Sequence, residues 1–162
     1  MSHQKSIILL IVLSLILAGC QTARAATPEP QPRNPDGSVS VTLGEPFTLA
    51  LDESADYAGT LRIAFVEMLG DSRCPSDADC IIAGQVQVKV VIAVAGQPQA
   101  EVILTLGDLY PGNVQQVEVD GYSLSLQAVE PYPATTRRTQ PDEYRAVFRL
   151  DEIKASQTTI AQ

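Results

Sequence analysis

Cys74 and Cys80 stand with five residues between them in the stretch DSRCPSDADCIIAG, residues 71–84, among the carboxylates of Asp71, Asp77 and Asp79. Three chemistries use such a set: a redox dithiol, a metal site, or a disulfide that pinches a loop. A catalytic dithiol is usually spaced C-x-x-C at a helix start, where the thiol pKa is depressed, and neither feature is present. Zinc needs two further good ligands, and the only histidine, His3, lies at the extreme N-terminus. Calcium is the better metal candidate, because Asp71, Asp77 and Asp79 are hard oxygen donors. Their spacing is nevertheless not that of an EF-hand loop, and the Gly and terminal Glu of such a loop are missing.

The compartment decides among these, and the first twenty residues speak to it. Lys5 precedes the apolar run IILLIVLSLILA, residues 7–18, followed by Gly19 and Cys20. About 12 helical residues cover roughly 18 Å, short of the roughly 30 Å hydrocarbon core, so residues 1–19 read as a signal peptide. Leu17-Ala18-Gly19-Cys20 resembles a bacterial lipobox. The resemblance implies that the Cys20 thiol is joined to diacylglycerol, that cleavage follows just before it, and that the new N-terminus is acylated with fatty chains such as palmitate. At about 0.8 kcal/mol per buried methylene, several chains hold a protein firmly to a membrane. The competing reading is ordinary secretion, with Ala23-Arg24-Ala25 as a small-x-small cleavage site.

The expected location is therefore the bacterial cell envelope, lipid-anchored and facing the extracytoplasmic side. Thiols oxidise there, and with Cys20 lipidated the remaining pair, Cys74 and Cys80, is read as a structural disulfide. Loss of residues 1–19 removes His3, so the mature chain has no imidazole for a Ser-His or Cys-His mechanism and no free thiol. No enzyme and no cofactor are expected. Paired carboxylates can hydrolyse glycosides when they stand about 5–9 Å apart, which keeps a glycosidase as the weaker alternative.

Between residues 39 and 154 there are 17 acidic and 8 basic residues, a net of minus 9. That excess argues against nucleic acid and against adhesion to anionic lipid. Besides membrane lipid at Cys20, the expected partner is a protein or other envelope component. Loops that can contact it carry Tyr110, Tyr132, Arg137 and Arg138, together with the three aspartates.

The elements that must position these residues alternate with period two. Residues 20–37 are rich in proline and lack apolar side chains, so they read as a lipidated cysteine followed by a disordered stalk of roughly 50 Å reach. Residues 38–154 form the domain, and residues 155–162 a flexible polar tail. Val39, Val41 and Leu43 alternate, Gly44-Glu45-Pro46 turns, and Phe47, Leu49 and Leu51 resume. A polar loop ends at Gly59. Leu61, Ile63 and Phe65 share a face, and Val66 and Met68 shift the phase as a bulge does. The run from Gln85 through Val94 pairs with Ala100, Val102, Leu104 and Leu106. Asp120-Gly121 predicts a type I′ hairpin joining Val117 and Val119 to Tyr122, Leu124, Leu126 and Ala128. Tyr144, Ala146, Phe148 and Leu150 make the last strand. About eight short strands predict an all-β antiparallel sandwich or barrel with one disulfide-pinched loop.

Two resemblances accompany this reading. DSRCP, the five-residue gap to Cys80, then Ala83-Gly84, and later Val129-Glu130-Pro131-Tyr132-Pro133 resemble a domain that recurs in small exported bacterial proteins and lipoproteins. It implies a β-rich exported domain and transfers no activity; Ile82 stands where the family commonly has an aromatic residue. LGEPFTL, residues 43–49, resembles the opening strand of chagasin-like peptidase inhibitors. That would imply an exported β-sandwich inhibitor, but the Asn-Pro-Thr-Thr-Gly-Tyr loop of those proteins is missing.

Overall fold

Alternation of side chains above and below a pleated strand is what places half of each segment in the core. Along Gln85–Val94 every second residue, Val86, Val88, Val90, Ile92 and Val94, is buried, while Gln85, Gln87 and Lys89 face outward. The computed structural model describes residues 30–153, apart from Gly96, Pro98 and Leu109. Residues 1–29, including the expected signal peptide, Cys20 and most of the stalk, and the tail 155–162 lie outside the described residues.

Among the described residues nine strands form: β1 (Val39–Ser40), β2 (Pro46–Ala50), β3 (Ser54–Tyr57), β4 (Leu61–Asp71), β5 (Gln85–Val94), β6 (Ala100–Gly107), β7 (Gln116–Val119), β8 (Tyr122–Glu130) and β9 (Arg145–Glu152). One sheet runs β1-β3-β4-β5-β6 and the other β2-β9-β8-β7. The domain is an all-β sandwich, and the barrel alternative does not form. On one side residues 114 and 115 strap the sheets: Thr105 N–H donates to the Val114 carbonyl at 2.7 Å and Leu126 N–H to the Gln115 carbonyl at 3.0 Å.

The inner faces meet in one core. Phe148 lies beside Phe47, its cross-strand partner, at 5.9 Å between ring centroids, and beside Phe65 of the facing sheet at 6.5 Å. Among the described residues no buried side-chain nitrogen or oxygen lacks a hydrogen-bond partner. The expected phase shift after Phe65 is present, with breaks in the β4–β5 register between Phe65 and Glu67 and again between Met68 and Gly70. Asp120 and Gly121 both adopt positive φ, as the hairpin turn between β7 and β8 requires.

Three features depart from the sequence reading. The polar loop before Gly59 contains β3, which pairs with β4, and β1 pairs with β3 in parallel where only antiparallel pairing was expected. Residues 31–37, read as the end of the stalk, are bonded to the domain. The Gln31 side chain donates to the Thr48 carbonyl at 3.0 Å and accepts from the Thr48 N–H at 2.7 Å, so it satisfies backbone groups that edge strand β2 would otherwise leave open.

Candidate functional site

Strand pairing brings three connections to one end of the sandwich. Asp71 pairs with Val86, Gln85 with Gly107, and Glu130 with Arg145, so residues 72–84, 108–115 and 131–144 all leave their sheets there. Loops on a rigid β scaffold are where sandwiches commonly place recognition.

A buried arginine joins two of them. Asp71 ends β4 and Arg73 follows two residues later, a spacing that directs both side chains to one side of an extended chain. Arg73 Nε donates to Asp71 Oδ1 at 2.8 Å and Nη2 to Oδ2 at 2.7 Å, a two-pronged pair. Its Nη1 donates to the Val129 carbonyl at 2.6 Å and Nη2 to the Pro131 carbonyl at 3.2 Å. The Tyr132 ring covers the guanidinium at 4.5 Å from Cζ. Both members of the ion pair are 6% exposed at the side chain. Only the planar, always-charged guanidinium serves two carboxylate oxygens, two carbonyls and a ring face at once; lysine does not.

The remaining bonds of the loop continue this closure. Cys74 and Cys80 are joined by a disulfide, and Cys74 N–H donates to the Ala83 carbonyl at 2.8 Å. Ser76 N–H donates to the Pro133 carbonyl at 2.9 Å. Asp77 accepts from the Thr135 N–H at 2.8 Å and from its hydroxyl at 2.7 Å. Those two bonds, the backbone one first, hold the Asp77 carboxyl below the usual aspartate range. Two glycines permit the crowding beneath. A Cβ on Gly84, at φ +75°, would stand 1.9 Å from the Ser72 carbonyl oxygen, and one on Gly107, at φ +111°, 2.4 Å from the Gly84 carbonyl oxygen.

Two of the loop's three aspartates are engaged within the protein. Asp71 is engaged by Arg73, Asp77 by Thr135, and Asp79 is exposed; among the described residues no group of three or more His, Cys, Asp or Glu side chains is placed to hold a metal. Tyr132 is half-exposed over Arg73, and Tyr110 is exposed on the third loop. Arg137 pairs with Glu143, and Arg138 is exposed on the same loop. Sequence reasoning missed Arg73, although the D-x-R spacing next to a strand end was its signal. It also passed over Ile81 and Ile82, which are 104% and 61% exposed on the disulfide loop.

Three surface hollows stand out among the described residues. One of about 390 Å³ lies between Asp71 and residues 133–139, one of about 300 Å³ beneath Tyr132, and one of about 230 Å³ beside Arg62. Each has one acidic residue in its wall, Asp71, Glu130 and Asp56 respectively, so none of the three presents the carboxylate pair that glycoside hydrolysis uses. Compared with known proteins, the chain matches no family model, no curated protein and no solved structure.

Proposed function

We propose that this protein is a lipid-anchored recognition module of the bacterial cell envelope, tethered through Cys20 on the extracytoplasmic side, that binds a protein or other envelope component with the loop end of its sandwich. The observation that carries the reading is the Arg73 clamp. A buried guanidinium with four hydrogen bonds to three residues is a costly way to tie two loops together unless their relative position matters. The Tyr132 ring lies over this clamp, and the same disulfide loop exposes Ile81 and Ile82, apolar side chains of the kind that surfaces carry where they meet partners. A pre-ordered surface loses less entropy on binding than a mobile one. The lipobox-like leader and the Pro-rich segment support the tether and its reach, and the lack of histidine in the processed chain supports binding over catalysis.

The test is site-specific photo-crosslinking in the native host, with benzoyl-phenylalanine at position 81 or at position 101, which is exposed on β6. The expected result is a discrete adduct from position 81 and none from position 101, together with a diacylglyceryl mass on Cys20. Equal background labelling at the two positions sinks the recognition reading, and an unmodified residue 20 sinks the tether.

A further inference from the structure

The 390 Å³ hollow differs in chemistry from the apolar loop tips beside it. Arg137, Arg138, Thr135, Thr136 and Thr139 line it, with Tyr144 on the far wall. We infer that this hollow is a binding site for a small hydroxylated carboxylate, the chemistry of a uronic acid, either free or at the end of a glycan. The inference rests on the reading of the loop end as a recognition surface and adds a ligand class to it.

Charge accounting inside the hollow selects an anion. Asp71 contributes a carboxylate to the wall, but both its oxygens are engaged by Arg73. Glu143 engages Arg137 and also accepts from the Gln140 N–H at 2.7 Å. Arg138 makes no ion pair among the described residues, so its guanidinium is the uncompensated charge. A guanidinium meets a carboxylate with two parallel donors, and such charge-assisted pairs are among the stronger hydrogen bonds.

The charge of the rest of the domain narrows the class. A net of minus 9 over residues 39–154 repels a polyanion, while one local cation suffices for a single carboxylate. Thr136 and Thr139 offer hydroxyl donors and acceptors, and the Thr135 and Tyr144 hydroxyls, whose protons go to Asp77 and Asp71, keep acceptor capacity; an aliphatic carboxylate would leave these groups unused. The volume lies within the usual range for small-molecule sites, about 300–1,000 Å³. The walls are also held before any ligand arrives. Thr135 is fixed by Asp77, Arg137 N–H turns back to the Ala134 carbonyl, and Gln140 and Glu143 cap the short 3-10 turn Pro141–Glu143.

The experiment is saturation-transfer NMR on the full-length protein in detergent, with D-glucuronate, glucose, inorganic phosphate and a glucuronate-terminated disaccharide as probes. Transfer to glucuronate and not to glucose is expected, with the dissociation constant raised about tenfold or more by Arg138→Gln. Arg138 is exposed, so the variant keeps the fold, which its unchanged melting temperature verifies. Tighter binding of the disaccharide than of the monomer assigns the source to a glycan end; equal or weaker binding assigns it to the free acid. Absent transfer, equal transfer to glucose, binding unchanged by Arg138→Gln, or displacement by phosphate at equal concentration each overturns the assignment. If glucuronate fails while position 81 still crosslinks, this inference fails alone; if glucuronate binds while position 81 does not crosslink, the apolar partner surface fails alone.

Discussion

Arg73 Nη1 donates to the backbone carbonyl of Val129 at 2.6 Å, across 56 residues of sequence and between the two sheets of the sandwich. The core between the sheets is a cluster of apolar side chains, so this bond and its neighbours set the position of one loop against another in a way that hydrophobic contact alone does not. Its removal should be costly for a specific reason.

Arg73→Met keeps much of the side-chain volume but leaves the Asp71 carboxylate buried without a counter-charge, with only the residue 73 N–H at 3.2 Å and the Tyr144 hydroxyl at 3.4 Å donating to it, and takes the guanidinium donors from two carbonyls. The expected loss is about 3–5 kcal/mol in urea denaturation. Asp71→Asn in the same background should cost much less than it does alone, because both changes remove one shared interaction. Additive losses would show that the pair is not coupled.

This clamp also marks the limit of what the sequence disclosed. Strict alternation made β4, β5, β6, β8 and β9 legible, and Asp120-Gly121 located its hairpin. Ser54–Tyr57 was not legible, because an aspartate and a serine are poor strand residues; Ala55 is held there by pairing with β4 and β1, and Tyr57 by pairing with β4. At the site, the three aspartates offered a calcium candidate that their spacing did not support, and charge alone did not say what each would bond. The structure instead pairs Asp71 with the arginine two positions on and Asp77 with a threonine 58 residues away, and no local pattern announces the second. The disulfide was legible from compartment and cysteine count alone.

Gly84→Ala should destabilise far more than Gly59→Ala. Both positions have positive φ, but a Cβ at Gly59 meets nothing within 4 Å, whereas at Gly84 it meets the Ser72 carbonyl oxygen at 1.9 Å. Backbone strain alone costs about 1–2 kcal/mol, and overpacking adds about 1–3 kcal/mol. Thermal melts of the two variants check the order, and equal losses would contradict the close approach at Gly84.

Replacing both Cys74 and Cys80 with serine should cost about 2.4 kcal/mol, the chain-entropy value for a seven-residue loop. Residues 131–144 should stay in place, since Arg73, which precedes the loop that the disulfide closes, holds Pro131. Amide chemical shifts of residues 133–135 that collapse toward random-coil values in this variant would show that the disulfide, not the clamp, orders the end.

Acid should loosen the loop contact through Asp77. Its folded-state pKa lies below the ordinary 3.8, so its contribution to stability is complete above that value and is lost as pH falls through the lower folded value. Asp36 behaves alike: bonds from the hydroxyl and backbone of Ser38 and from Arg62 pull it down to about 2, and its contribution fades between 3.8 and about 2. Carboxyl-carbon NMR titration measures both, and the Thr135 amide shift should follow the Asp77 midpoint. Ordinary titration of Asp77 would contradict the bond pair to Thr135.

The account depends on the loop end being ordered before any partner or ligand arrives. Native-state hydrogen exchange of the Ser76 amide, bonded to the Pro133 carbonyl, measures this most directly. The expected result is protection approaching that of β5 core amides in the wild type, falling by orders of magnitude in Arg73→Met. Exchange at the rate of an open loop in the wild type would contradict it.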